Sequence, residues 1–399
     1  MGEILKHPTE RINEPMDITI DLYILLLHTY YPGYPTPLQT FQGKPHQATS
    51  EVPNLILTMN IYARVQSNIM SWKHDTPLPT DVPADPKFQP WHQYDANSQQ
   101  WDPVSANENA EPAPARTDDT PSDLVLLTWN IDGLFSGMQK RVTEILAFIT
   151  QLDTKVDVIF FQEVSQRALR LILSDERIRE SWFSTEHEDT PCRQSFITMT
   201  LVSKSRFTSQ HSSEKSRFAL GAVWRVAYPS HFDRDVLFCD LFVPSRTDAS
   251  STRVRLANVH LDSLAIRPSH RPQQLSIVSS FLRSAGRGLV AGDFNPVLDE
   301  DAALVETNGL TDAWATLRPE EPGYTWGADG KQRFPPNRMD KVALLGLEAR
   351  GIRILEAQPV GGLDGQQDTP SDAAIPYFHT QPMLWSDHHG LICSFGLGE

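Results

Sequence analysis

LWSDHHGLIC, residues 384–393, sets an acid and two histidines between a tryptophan and an apolar run, close to the end of the sequence. A terminal segment is usually polar and loose. Here Gly390 to Phe395 reads instead as a buried strand, entered through Ser386, Asp387 and His388. Two readings are open: the polar cluster is a turn, or this end of the chain closes a site.

The same pattern recurs upstream. Strand-like runs occupy LVLLTW (124–129), DVIFFQEV (157–164), FITMTLVS (196–203), ALGAVWRVAY (219–228), VLFCDLFV (236–243), RVRLANVHL (253–261), GLVAGDFN (288–295) and RMDKVALL (338–345). LLTW ends at Asn130, VIFFQ at Glu163, LANV at His260, and LVAG at Asp293 with Asn295 two residues on. Asp340 precedes VALL, as Asp387 and His388 precede GLIC. A carboxylate leaving an apolar strand is costly unless it finds a partner or a metal. Taken singly, each has a plain reading. Asn130 caps a turn at Asp132–Gly133, Glu163 forms a surface ion pair, and His260 is a satisfied core histidine. SDHH is a common turn composition. Together, six polar strand ends read as one site at one edge of a sheet.

Helical spacing appears at MQKRVTEILAFITQL (138–152), SQRALRLILSD (165–175) and RPQQLSIVSSFLRSA (271–285). Strands dominate, helices interleave and the order is mixed. The pattern predicts an α/β sandwich of two sheets covered by helices, not a doubly wound parallel sheet. No internal repeat is visible.

Residues 1–121 differ from the rest. They are rich in Pro, Thr, Gln and Asn, notably in 30–47 and 75–95. NLILTMNIYARVQSNIMSW (54–72) could hold one amphipathic helix, and 108–123 has linker composition. The expected organisation is a Pro-rich, partly disordered N-terminal extension over 1–121 and a domain of mixed strands and helices over 122–399. Trp72, Trp91 and Trp101 offer another course, in which part of the extension docks on that domain.

The chain has 399 residues, 40% of them apolar, which suits one large domain with an added segment or two domains. A formal net charge of −15 argues against broad adhesion to nucleic acid or anionic membrane, though not against a local basic groove. Cys192, Cys239 and Cys393 lack zinc-finger spacing and suit a reducing compartment. The start carries no signal-peptide pattern, and ITIDLYILLLHTYY (18–31) is too short to span a bilayer.

The motif set resembles the exonuclease–endonuclease–phosphatase superfamily with its DNase I-like fold. It includes TWNIDGL (128–134), FFQEV (160–164), NVHLDS (258–263), GDFN (292–295), RMDKV (338–342) and SDH (386–388). Within the superfamily it is most similar to the type 2 tyrosyl-DNA phosphodiesterases, through TWNIDGL, HLDS and the YTW of DAWATLRPEEPGYTWG (312–327). It departs from that group at Pro296–Val297 after GDFN, at Met339 in RMD and at Phe196 where a tyrosine can stand. No ubiquitin-binding signature is visible in 1–121. These departures bear on substrate preference, not on the chemistry.

The resemblance implies a four-layer αββα sandwich and a Mg²⁺-dependent phosphodiesterase, with Mn²⁺ as a substitute. Glu163 would hold the metal with Asn130 nearby. Asp293 would activate or orient the attacking water, with Asn295 helping to fix it. His388 would meet the scissile phosphate as an imidazolium, held by Asp340, which also raises its pKa. His260 would be a second donor to the phosphate, with Ser263 beside it. Asp387 would sit in the metal's outer shell, and His389 would support the site.

Trp326 is a candidate wall against a terminal nucleotide, with a core tryptophan as the alternative. Phe196 would line the substrate channel. Arg267, Arg271 and Lys331 are either phosphate contacts or solvated surface charge. The implied substrate is a DNA 5′ end carrying a tyrosyl adduct, acted on in DNA repair by a monomer in the nucleus, with the cytoplasm a further compartment. No membrane is expected, and protein partners would use the N-terminal extension. The alternatives are an abasic endonuclease, a deadenylase, an inositol or lipid phosphatase, or an inactive interaction module.

Overall fold

Runs such as LVLLTW leave no polar face, so such strands need cover on both sides. The computed structural model provides it. It describes residues 52–104, 123–134, 137–190, 195–208, 218–244, 251–330, 332–361 and 383–397, with side chains from residue 63 onward.

In chain order the elements begin with α1 (Val52–Asp75), β1 (Lys87–Gln89), β2 (His92–Asp95), β3 (Gln100–Pro103), β4 (Leu124–Asn130), α2 (Met138–Thr150) and β5 (Val158–Val164). Next come α3 (Gln166–Ser174), α4 (Glu176–Ser181), β6 (Trp182–Ser184), β7 (Ile197–Ser203), β8 (Phe207–Thr208), β9 (Phe218–Ala227), β10 (Asp235–Pro244) and β11 (Ser251–His260). The last are α5 (Arg271–Ala285), β12 (Gly288–Asp293), α6 (Leu304–Thr307), β13 (Thr311–Asp312), α7 (Ala313–Leu317), β14 (Asp340–Leu345), β15 (Glu348–Leu355) and β16 (Gly390–Gly396).

Two eight-stranded sheets result. One runs β1-β9-β10-β11-β12-β14-β13, with β8 beside β9, and the other runs β15-β16-β4-β5-β7-β6-β2-β3. Alternate residues of each strand serve different layers. Leu126, Val158, Leu256 and Leu289 meet between the sheets. Leu127, Ile159 and Phe161 face outward onto Val142 and Ile145 of α2 and Leu169 and Ile172 of α3. Ala257, Val259 and Val290 face the other way onto Leu275, Val278 and Phe281 of α5. This is the expected αββα sandwich.

The boundary expected at 121 is corrected by three strands. β1 pairs with β9 in one sheet, and β2 with β6 in the other. Trp91 is fully buried between the sheets and donates from Nε1 to the Gly221 carbonyl at 2.9 Å. Trp101 donates to the Leu173 carbonyl at 3.0 Å. Pro86, Pro90 and Pro103 stand just before, just after or at the end of these short strands, where their missing N–H costs least. The segments 18–31 and 105–122 lie outside the described residues. No described helix is long and apolar enough to cross a membrane.

One buried ion pair ties layers together. Arg255 and Asp240 are fully buried and bonded at 2.8 Å and 3.0 Å, while Arg255 Nη1 also donates to the Pro77 and Phe281 carbonyls. Asp240→Ala strands that guanidinium and should cost about 3–5 kcal/mol. Urea unfolding checks this, and a loss near ~1 kcal/mol, the scale of a surface pair, would contradict it.

Candidate active site

Strand register builds the first half of the site. β11 pairs with β12 so that His260 faces Asp293, and β12 pairs with β14 so that Asp293 faces Asp340. Three polar residues thus stand in one row across adjacent strands. Gly292, before Asp293, has φ 135°, and a Cβ there would lie 2.0 Å from the Val259 carbonyl oxygen. Only glycine fits that close approach.

The second sheet supplies the other half. β4 and β5 run parallel with Asn130 beside Gln162. A bulge between Phe161 and Val164 puts Glu163 at φ 55°, which re-aims its side chain. The segment ahead of β16 is tied down by Trp129 Nε1, which donates to the His388 carbonyl at 3.0 Å. Ser386 Oγ donates to the Asn130 carbonyl at 2.7 Å and accepts from the His388 N–H at 3.1 Å. Below, Gln162 donates to Asn258 Oδ1 at 2.8 Å, joining the two sheets under the site.

The polar strand ends converge. Asp293 Oδ2 lies 3.1 Å from Asn130 Nδ2, 3.4 Å from His260 Nε2 and 3.8 Å from His388 Nε2. Asn130 Nδ2 also reaches Glu163 Oε1 at 3.1 Å. His388 Nδ1 meets Asp340 Oδ2 at 2.8 Å. The two histidines differ in charge. Burial, then Arg234 and His388, hold the His260 pKa well below its ordinary value, so its ring is neutral. Burial also opposes charge on His388, but Asp340, Asp387 and Asp293 outweigh it and raise its pKa well above the ordinary value.

His388 is therefore protonated at neutral pH, and that state is lost as pH rises through its elevated folded pKa. Asp340→Asn removes the largest raising influence. The alkaline limb of a pH–rate profile should then move to lower pH, and an unmoved limb would exclude His388 as the charged donor.

The acids repel one another. Burial and then Asp387 push Glu163 up to about 7, against the pull of Asn130, Arg234 and His388. Burial and then Asp387 raise Asp132 well above its ordinary value, despite its 2.6 Å pair with Arg141. Such repulsion among oxygen donors is what a hard divalent cation relieves. Glu163, beside Asp387, offers such a donor, while Asp132 Oδ2 is held by Arg141 at 2.6 Å. Asp293, Asp340 and His388 also offer ligand atoms within 4.8 Å of one another, but the His388–Asp340 hydrogen bond already closes that group on itself.

The Glu163 carboxylate is charged in the unfolded chain above about 4.5, and in the fold only above about 7. Its burial therefore opposes folding at pH 8, and stability returns as pH falls through about 7. At 1.36 kcal/mol per unit, the full effect is on the order of a few kcal/mol. In chelator at pH 8, Glu163→Gln should melt above the wild type, and added Mg²⁺ should raise only the wild-type Tm. A variant that melts lower in chelator would contradict this electrostatic account.

The remaining expected residues fall as follows. Phe196 is buried and stacks on His260 at 5.4 Å. Ser263 Oγ accepts from Arg234 Nη2 at 3.0 Å. Asn295 Nδ2 donates to the Leu261 carbonyl at 3.1 Å, and its N–H donates to Asp293 Oδ1 at 3.0 Å. Trp326 is half-buried, not a core residue, and donates from Nε1 to the exposed Asp387 at 3.0 Å. His389 Nδ1 accepts from the Ala357 N–H at 3.1 Å.

Arg271 is corrected. It is buried, pairs with Asp301 and donates to the Asp262 and Leu264 carbonyls, so it shapes a loop and is neither a phosphate contact nor solvated charge. Arg267 is exposed and pairs with Glu300 at 2.9 Å. Lys331 lies outside the described residues.

Sequence reasoning missed Arg234. It is buried, donates to the Leu261 carbonyl, and sits 5.5 Å from the Phe196 ring. Its charge lowers the pKa of both Glu163 and Asp293. Its segment, HFDRD, adjoins no motif and carries no apolar period that would single it out.

The sequence model described as the Endonuclease/Exonuclease/phosphatase family matches residues 127–388. No curated protein sequence matches the chain. Humanized D. rerio TDP2 with 14 mutations superposes with TM-score 0.51 at 19% identity, covering 69% of this chain and 100% of that one. D. rerio TDP2 complexed with single strand DNA product gives 0.50 at 19% identity, with the same coverages. Both likenesses are likenesses of fold.

Proposed function

The chain belongs to the Endonuclease/Exonuclease/phosphatase family, and from that premise we propose that it hydrolyses 5′-phosphotyrosyl–DNA linkages with Mg²⁺, as a DNA-repair enzyme of the nucleus. The observation that carries the reading is Asp293 Oδ2, within 3.8 Å of Asn130, His260 and His388 together.

Phosphodiester hydrolysis needs a positioned water and neutralised phosphate oxygens. Glu163, with Asn130 beside it, would hold a divalent cation, whose charge would neutralise a phosphate oxygen. Asp293 accepts a proton from the attacking water. Burial raises its pKa to about 6, with His388 pulling it down and Asp340 pushing it up. It is thus ionised at neutral pH and close to the value that suits a base. The neutral His260 and the imidazolium of His388 donate to the non-bridging oxygens. The new bond joins water oxygen to phosphorus, and the phosphorus–tyrosyl oxygen bond breaks. The phenolate leaves and takes up a proton, and the DNA keeps a 5′-phosphate.

Two features favour a tyrosyl leaving group on DNA. Phe196 and Arg234 set an aromatic face and a cation beside His260. Trp326, held by Asp387, offers a partly open ring for a terminal base. The D. rerio TDP2 that shares the fold was captured with a single strand DNA product. The test is a substrate panel at equal concentration: a 5′-phosphotyrosyl oligomer, an abasic duplex, a poly(A) strand and an inositol phosphate. The tyrosyl oligomer should be turned over fastest. Preference for another member moves the protein elsewhere in the family, with Met339 and Pro296–Val297 as the first positions to exchange.

A further inference from the structure

A second cluster lies outside this chemistry. His231 belongs to the loop between β9 and β10, and Asp262 and His270 to the segment between β11 and α5. Each offers one ligand atom, and all three atoms lie within 4.8 Å of one another. The two imidazole rings stack at 4.0 Å and 8°. His270 Nδ1 is buried and has no hydrogen-bond partner, and Asp262 Oδ2 stands 3.6 Å from it.

That separation is too long for a hydrogen bond. It suits two ligands of one ion. Atoms each ~2.1 Å from a tetrahedral zinc lie ~3.4 Å apart. Asp262 is buried and already oriented: Gln274 Nε2 donates to its Oδ1 at 2.8 Å, Ser230 Oγ also donates to Oδ1, and the His231 N–H donates to Oδ2 at 2.8 Å. Such outer bonds are how a ligating carboxylate is held. His231 is half-buried, with Nε2 3.3 Å from the Pro268 carbonyl, and its ring would leave the stack on His270 to ligate an ion.

We propose that His231, Asp262 and His270 bind a divalent transition-metal ion, Zn²⁺ by donor type, with solvent as the fourth ligand. Two imidazoles and one carboxylate match zinc and not Mg²⁺, which favours oxygen. The ion would pin the loop that carries Arg234 to the segment that carries Ser263, and so act as a clip beside the reaction centre. The binding site does not depend on the substrate proposed above.

Equilibrium dialysis of the full chain against Zn²⁺ in excess Mg²⁺ tests it, using wild type, Glu163→Gln, His231→Ala and His270→Ala. Wild type and Glu163→Gln should each hold one tight Zn²⁺. Both histidine variants should bind at least ~10–100-fold more weakly, since even an outer-shell loss has that effect. Cobalt(II) provides a second readout: visible absorption of tetrahedral type in wild type and Glu163→Gln, lost in both histidine variants. His270 Nδ1 is buried whereas the His231 Nε2 contact is exposed, so the His231 variant carries the test if His270→Ala fails to fold. No tight Zn²⁺ in wild type, undiminished binding by a folded histidine variant, or loss of the ion with Glu163→Gln would each overturn the assignment.

Discussion

Asp293→Asn lowers phosphodiester hydrolysis by roughly 10²–10⁴-fold, the range for removing a positioned base, and leaves the fold intact. The exchange preserves shape. Asp293 is buried in register between His260 and Asp340, so the asparagine occupies the same volume. It also retains an oxygen for the Asn130 amide, now 3.1 Å away. What it loses is the charge that takes a proton from water. The loss should therefore fall on kcat and leave KM nearly unchanged. Circular dichroism and single-turnover rates, measured together, decide it. A folded variant with near-wild-type turnover would remove Asp293 from its role as the base.

His260→Ala is the second large effect, a loss on the order of 10²–10³-fold, as for other single donors to a developing oxyanion. This imidazole is held neutral by burial and by Arg234, while His388 is held charged. The two donors should thus respond differently to pH. Loss of His260 should lower the rate by a similar factor at every pH and leave both limbs of the profile in place. A shift of either limb would mean that His260 titrates during turnover. The methyl side chain also leaves the Phe196 face unstacked, so a small rise in KM for an aromatic leaving group is expected alongside.

Much of this site was legible because burial and polarity conflict there. Asn130, Glu163, His260, Asp293, Asp340 and His388 each interrupt an apolar strand end, and the sandwich brings them within a few ångströms. Helices α2, α3 and α5 were legible from their apolar period, since each covers a sheet face. The elements that were not legible lack such a signal. β1, β2 and β3 are three or four residues long and sit among prolines. They belong to the fold because Trp91 and Trp101 are buried, which composition alone could not decide. β15 reads EARGIRIL, where charged residues break the apolar run and only Ile352 and Leu355 are buried. Arg234 lies in a loop, and only tertiary packing brings it to Phe196 and Ser263.

The most direct test of the central claim is single-turnover hydrolysis of a 5′-phosphotyrosyl DNA oligomer in heavy-oxygen water, with Mg²⁺ and with chelator. The account predicts Mg²⁺-dependent release of unlabelled tyrosine, with the label in the 5′-phosphate, because water attacks phosphorus. Label on the tyrosine, or equal release in chelator, would contradict it.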